Sequence, residues 1–323
     1  MKNKLDYKRA MSVFFWLVTI SIIGVIYVRG ISEPAVKNQV KIGVTYMTMN
    51  NNFYKILNSE IKESINNHND ILYVRDPELD EDRQSQQIDS FVKQKVDIIV
   101  ITPVKSNSKS IISSLKKAKE QGIKIIAVDT QIEGLAVDST IVSNNYEAGV
   151  LDAQNMMKTV SNANILLLEH SNTVSATERI QGFLDTIKGK KNYQVVARKD
   201  TLGQTEVGMP EVMEVIDQGV DFNVVMALND TSALGALAAI KEKGLTNKIY
   251  IYGVDGSSDM KNLLNRTNDV QATAAQSPIT MGEKTAEVIY LLINGKPVKK
   301  EYVIPVKLIT KENIGDYDIA GWQ

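Results

Sequence analysis

Four polar residues form the clearest chemical pattern in the chain: Thr102, Asp129, Asn229 and Asp255. The run DIIVITP, a helical pattern ending AKEQG and the run IKIIAVD occupy 97–129; NVVMALND, a pattern ending IKEKG and KIYIYGVD occupy 223–255. The polar residue and the aspartate are 27 positions apart in the first copy and 26 in the second. Each copy reads as strand–helix–strand, with a hydrogen-bonding residue closing the first strand and a carboxylate closing the second. In open α/β sheets ligands bind beyond the carboxyl ends of the strands. Two such units facing each other make a cleft with polar groups on both walls. A carboxylate can accept two hydroxyl donors, each such bond contributing about 1.5–3 kcal/mol. Capping of the following helices is the alternative use of the two aspartates.

Further candidates stand at other expected strand ends. Phe53 and Tyr54, in MNNNFY (49–54), offer an aromatic face to the apolar face of a pyranose, or cap the helix that follows. Asn51 can donate and accept with one amide, or serve as an N-cap. Arg179 brings five donors in a rigid fork and can join the lobes by bonding an aspartate; a surface pair with Glu178 is the alternative. Asn229 and Gln276 can fix hydroxyl geometry from the second lobe, whereas Asp230 reads as a helix cap. His68, in the polar run NNHND, reads as a solvated turn, and His170, after LLLE, stays outside the candidate set.

The inventory excludes several chemistries. Zero cysteines and two histidines leave no disulfide, thiol nucleophile, zinc-thiolate site, multi-histidine metal site or lipid-acceptor cysteine. No metal or cofactor is expected. A net charge of −1 offers no broad basic surface for nucleic acid. No GxSxG elbow, P-loop or strand-linked GxGxxG occurs. Asp129 and Asp255 make a poor glycosidase pair, because both belong to a polar, hydrogen-bonding cleft and acid–base work needs one carboxyl of raised pKa. An enzyme is not expected.

The elements that must position these groups alternate. Unalternating apolar runs suit strands covered on both faces: 40–46, 71–75, 96–102, 123–129, 140–143, 163–169, 193–199, 222–228, 248–254 and 270–276. Helical patterns lie between them, as in 55–65, where Ile56, Leu57, Ile61 and Ile65 share a face. Helices over 109–122 and 231–244 end in basic residues and glycine. This is an α/β chain of two doubly wound parallel-sheet lobes.

Residues 10–28 are nineteen positions without a charge, preceded by Lys2, Lys4, Lys8 and Arg9. A helix of that length spans about 28 Å, close to the hydrocarbon thickness of a bilayer. The expectation is an uncleaved transmembrane anchor with a cytoplasmic stub at 1–9 and the remaining chain outside the membrane. A linker follows at 29–39. A cleaved secretion signal is the alternative, although only a poor site near Ala35 follows the span.

Eight motifs occur in order: MNNNFY, ITP (101–103), AVD (127–129), SNNYEAG (143–149), ERIQGF (178–183), ALNDTSALGA (227–236), YGVDG (252–256) and ATAAQSP (272–278). With them, residues 40 to 323 resemble the periplasmic sugar-binding proteins of the ribose, galactose and xylose type. The resemblance implies the type I periplasmic binding protein fold, with a three-strand hinge near Val142–Asn144, Gln276–Pro278 and Tyr302–Pro305. The lobes would then comprise 40–142 with 277–304, and 143–276 with 305–323. It also implies a neutral monosaccharide ligand, a pentose such as D-xylose, held by Asn51, Phe53, Tyr54, Thr102, Asp129, Arg179, Asn229, Asp255 and Gln276. The fold is shared with sugar-responsive repressors, but the apolar span stands where a DNA-binding head would be. Some positions depart from the family: Thr102 replaces a frequent Asn, Thr130 a frequent basic residue, and Gln204 or Thr205 an expected second aromatic. Trp322 lies at the far end of the chain, which leaves one aromatic wall at most. The anchored chain resembles a membrane-anchored xylose-binding sensor that works with a two-component histidine kinase. Delivery of sugar to an ABC permease is the alternative partner relationship.

Overall fold

The computed structural model describes the backbone of residues 2–31 and 39–322, with side-chain surroundings given for residue 7, residues 11–25 and the second stretch. Two compact units result, 1–39 and 40–323. The first contains α1 (Lys2–Ile31), whose apolar side chains Phe14, Phe15 and Trp16 are exposed. Among the described residues, no helix is long and apolar enough to cross a membrane. The expected span at 10–28 has both ends outside the described side chains, and most of the linker at 29–39 also lies outside the described residues.

The second unit contains two six-stranded sheets. The first is built from β1 (Lys41–Thr45), β2 (Ile71–Arg75), β3 (Ile98–Ile101), β4 (Lys124–Val128), β5 (Ser139–Ser143) and β11 (Glu301–Ile304), ordered β11-β5-β4-β3-β1-β2. The second is built from β6 (Ala163–Glu169), β7 (Tyr193–Asp200), β8 (Val224–Ala227), β9 (Tyr250–Asp255), β10 (Val270–Ala275) and β12 (Lys307–Thr310), ordered β12-β10-β9-β8-β6-β7. The repeat read from 97–129 and 223–255 thus extends to whole sheets, since both place their first five strands in the order 2-1-3-4-5. In such an order the switch point lies beside the first strand, and the strand ends there are free to hold a ligand. Isoleucine and valine fill β3, and valine, methionine and alanine make up β8; both strands are buried throughout. Branched side chains covered on both faces favour this pleated geometry.

The two edge strands β11 and β12 were not expected, and β12 runs antiparallel to β10. Only Pro305 and Val306 separate them, so the chain leaves the first sheet and enters the second without turning back. The chain also crosses between β5 and α5 (Asn145–Thr159), and between β10 and α10 (Pro278–Ile293). α5 packs on second-sheet strands β9 and β10, whereas α10 packs on α2 (Asn52–Asn67) and on β4 and β5 of the first sheet. His68 follows α2 in an exposed turn, as the sequence suggests, and its ring stacks on Tyr290 at 3.8 Å.

One helix crossing bears directly on the site. α5 and α6 (Val174–Ile187) meet at two glycines. A Cβ at Gly149 would lie 1.8 Å from the Arg179 carbonyl oxygen, and one at Gly182 would lie 2.0 Å from that of Tyr146. Only glycine permits this approach, and it presses Arg179 of α6 onto Asn145 at the start of α5.

Candidate binding site

The carboxyl ends of both sheets face one cavity of about 40 Å³. Eight of the nine expected residues stand in that wall: Asn51, Phe53, Tyr54, Asp129, Arg179, Asn229, Asp255 and Gln276.

Thr102 is the exception. It is buried at the end of β3, where its carbonyl accepts from Gln84 Nε2 at 2.9 Å. The same Gln84, on α3 (Glu81–Lys93), also binds the Tyr46 carbonyl and the Val104 amide. This amide clamp ties the strand end to α3, and Thr102 is not among the cavity-lining residues.

Asp129 and Asp255 leave their strands in the unusual positive-φ region, at φ 69° and φ 142°. Aspartate tolerates such backbone better than most residues, and strain of this kind persists where the surroundings over-determine it. Asp129 Oδ2 accepts from the Tyr54 hydroxyl at 2.9 Å, and its Oδ1 lies 4.0 Å from Arg179 Nη2. Burial holds the Asp129 carboxyl above its ordinary pKa; Arg179 and Tyr54 pull the other way without cancelling that effect. Asp255 Oδ1 accepts from Gln276 Nε2 at 2.7 Å. Burial first, and the nearby Asp230 second, push the Asp255 carboxyl up to about 8, against opposing contributions from Arg179 and Gln276. Gln276 lines the cavity, and its Oε1 is buried with no hydrogen-bond partner among the described residues, an acceptor left to be satisfied.

Arg179 is buried and does not pair with Glu178. Its Nε donates to Asn145 Oδ1 at 2.8 Å and its Nη1 to the Leu228 carbonyl at 3.0 Å. These bonds hold the guanidinium flat against the second lobe and turn Nη2 towards Asp129 of the first. Asn51 is the N-cap of α2: its Oδ1 accepts from the Phe53 amide at 2.9 Å, which leaves its amide nitrogen as the group to offer a ligand. Asn229, not Asp230, caps α8 (Asp230–Glu242), and its Nδ2 donates to the Gly203 carbonyl at 3.1 Å. Both ends of the Asn229 amide are therefore committed to backbone. Asp230 instead reaches sideways, accepting from the Ser257 amide and the Thr273 hydroxyl.

The wall also contains groups outside the expected set. His170, Thr173 and Ser175 come from the loop between β6 and α6, while Leu202, Gly203 and Gln204 come from the loop after β7. The same strand-end rule applied to β6 and β7 points to both loops. At the expected place of a second aromatic, Gln204 lines the cavity, and Thr205 instead donates its hydroxyl to the Thr231 carbonyl. Burial lowers the His170 pKa, with Asp200 opposing. Phe53 meets the Tyr54 ring edge-on at 5.5 Å and the Trp322 ring at 5.9 Å. Trp322 therefore backs the aromatic wall without being part of it.

The lobes touch around the cavity. The Ser106 amide donates to the Asn172 carbonyl, the Val174 amide to Ser106 Oγ and the Ser175 amide to Thr130 Oγ1. Thr130, standing where a basic residue is frequent in the family it resembles, thus serves as an interlobe acceptor. At the rim Asn50 Nδ2 donates to Glu206 Oε1 at 3.0 Å. Carboxyls, a guanidinium and amides converge here on a space flanked by Phe53, Tyr54, Met47 and Leu228. Such a wall can take a small molecule with hydroxyls around its edge and an apolar face.

Comparison with known proteins agrees with this geometry. The family described as periplasmic binding protein domain matches residues 42–297. The ribose import binding protein of Bacillus subtilis is 29% identical over 284 residues, covering 87% of this chain and 90% of its own. The D-apiose import binding protein of Paraburkholderia graminis is 33% identical over 250 residues, covering 74% and 77%. In fold the chain is similar to an ABC transporter solute binding protein from Bacillus halodurans with bound myo-inositol, with a TM-score of 0.80 at 22% identity, over 88% of this chain and 99% of the other.

Proposed function

The chain belongs to the periplasmic binding protein family, and on that premise we propose that it binds a neutral monosaccharide, a pentose such as D-xylose, between its two lobes outside the cytoplasm. The observation that carries this reading is the convergence of Asp129, Asp255, Arg179 and the unpaired Gln276 Oε1 on one cavity beside Phe53 and Tyr54. A neutral polyol supplies donors to both carboxyls, an acceptor to Arg179 and a C–H face to the aromatic ring. An anion would be repelled by Asp129 and, once it ionises, by Asp255. The pentose class is supported by the relatives that bind ribose and D-apiose.

Binding works through closure. Sugar contacts from both lobes exist only when the lobes meet, so the sugar shifts the population towards the closed form. Moving it from 1:99 to 99:1 needs about 5.5 kcal/mol of differential binding, which three or four bonds of about 1.5 kcal/mol supply.

Two downstream partners fit such a domain. The relatives are import binding proteins, which supports delivery to an ABC permease. The uncharged stretch 10–28, within the 30-residue helix Lys2–Ile31 and without a cysteine for lipid attachment, supports a single-pass anchor that holds the domain beside a membrane histidine kinase. Calorimetric titration of the full chain against D-xylose, D-ribose, D-apiose and myo-inositol, with ribose 5-phosphate and D-xylonate as anionic controls, tests the ligand. One neutral sugar should bind at one per chain; binding of the anions alone would reject the reading. In a deletion strain, loss of uptake with induction intact assigns the permease, and loss of induction with uptake intact assigns the kinase.

A further inference from the structure

The last residues of the chain bridge the two lobes behind the cavity. A short 3-10 turn, Ile314–Asp316, packs on α9 (Ser258–Arg266) of the second lobe, and Tyr317 and Ile319 rest on that lobe's core. The segment is tied down by Lys261 of α9, whose side chain is fully buried. Its Nζ donates to the Asp318 carbonyl and, at 2.6 Å, to the Gly321 carbonyl. A buried ammonium is costly unless bonded, and here the strap carbonyls supply those bonds. The turn is braced by Asp318 Oδ1, which accepts from the Ala320 amide at 3.0 Å. Gly321 fits where a Cβ would come within 2.5 Å of Asp318 Oδ2. One residue further on, Trp322 leaves the second lobe. Its ring packs on the first lobe's core and meets Phe53 edge-on at 5.9 Å, interplanar angle 71°.

We propose that residues 314–322 form a latch, in which Lys261 fixes the strap to the second lobe and Trp322 holds Phe53 of the first, so that the lobes part only when Trp322 undocks. Trp322 is a positioning residue: it acts on the ligand through Phe53, which lines the cavity. The latch itself is independent of the ligand's identity. Only its effect on affinity rests on the monosaccharide reading.

Three amides report closure directly, because Ser106, Val174 and Ser175 bond across the lobes. Amide hydrogen exchange on the full, sugar-free chain should show those three amides exchanging about fivefold faster in Trp322→Ala, the value of one aromatic pair. Strand amides such as Ile99 and Val225 should keep their wild-type rates. Trp322→Phe should restore most of the protection, and Lys261→Met should reproduce Trp322→Ala by freeing the strap. Unchanged exchange at the three amides in Trp322→Ala overturns the latch. So does faster exchange spread equally through the strands, which would make Trp322 a mere packing residue. D-Xylose, D-ribose, D-apiose and myo-inositol are then added to each variant. A sugar that protects the wild-type amides should bind Trp322→Ala about fivefold more weakly; equal affinity would show that Trp322 does not act through Phe53. If none of them protects the wild type, the monosaccharide reading fails while the sugar-free rates still decide the latch.

Discussion

The two lobes end their fourth and ninth strands in the same residue and treat it differently. Asp129 on the first lobe has a counter-charge, Arg179, reaching over from the second, and a phenol from its own lobe. Asp255 on the second lobe has, among the described residues, only the Gln276 amide as a direct side-chain bond, with another buried carboxyl, Asp230, nearby, and its pKa is pushed up to about 8. Equal positions in a repeated unit have thus become a charge-paired acceptor on one wall and a carboxyl that keeps its proton near neutral pH on the other. A ligand that brings hydroxyls to both has more to offer the second.

Removing Arg179 should break this contrast most severely. Arg179→Ala loses the bonds to Asn145 and Leu228 and leaves Asp129 buried without its counter-charge. Loss of one partner of a buried pair costs about 3–5 kcal/mol. Denaturant unfolding of the sugar-free chain should register a loss of that order, and sugar affinity should fall at least about tenfold.

Asp255→Asn should move affinity and stability in opposite directions. The asparagine oxygen can still accept from Gln276, but the buried group no longer has a charge to desolvate. At pH 9, where Asp255 is ionised, the sugar-free variant should therefore unfold at a higher temperature than the wild type, while its sugar affinity falls about tenfold with the loss of a charged acceptor.

The same carboxyl predicts a smaller, graded pH effect. Between its ordinary value, near 4, and its folded value of about 8, the unfolded chain has lost the Asp255 proton and the folded chain still holds it. Stability from this group is thus greatest below pH 4, falls as pH rises towards 8 and is flat above. Asp129, Asp152 and Asp230, all raised by burial, act with the same sign. His170, lowered by burial, acts oppositely below about pH 6.5. Thermal unfolding of the sugar-free chain should show a lower melting temperature at pH 8 than at pH 5.5, with a shallower decline in Asp255→Asn.

The smallest effect belongs to the rim. Asn50 and Glu206 join the lobes in an exposed position, where bonds of this kind contribute about 0–1 kcal/mol. Glu206→Ala should leave sugar affinity within about threefold of wild type, a change of under 1 kcal/mol.

How much of this was legible in the sequence differs by element. The inner strands could be read because runs such as IIVI (98–101) and VVMA (224–227) are covered on both faces, and the paired units at 97–129 and 223–255 pointed to Asp129 and Asp255. The edge strands β11 and β12 are four residues each, half-exposed and joined by two residues, so no periodicity marks them. Thr102 fitted the repeat by type and spacing, but Gln84, from a helix not in the repeat, closes that strand end. The cap fell to Asn229 and not to Asp230 because side-chain direction at a helix start depends on which neighbour offers an amide. His170 and Gln204 reach the cavity through loops whose paths are set by tertiary packing. Trp322 comes to Phe53 only because a buried lysine from a distant helix holds the strap.

The central claim is that one sugar is held by carboxyls of both lobes at once. It is tested by calorimetric titration at pH 9, where Asp255 is ionised, of the tightest-binding neutral monosaccharide into the wild type, Asp129→Asn and Asp255→Asn. Each substitution alone should weaken binding by at least about tenfold, the loss of one charged hydrogen bond. Wild-type affinity in either variant would show that its lobe contributes no carboxyl to the sugar, and would contradict the claim.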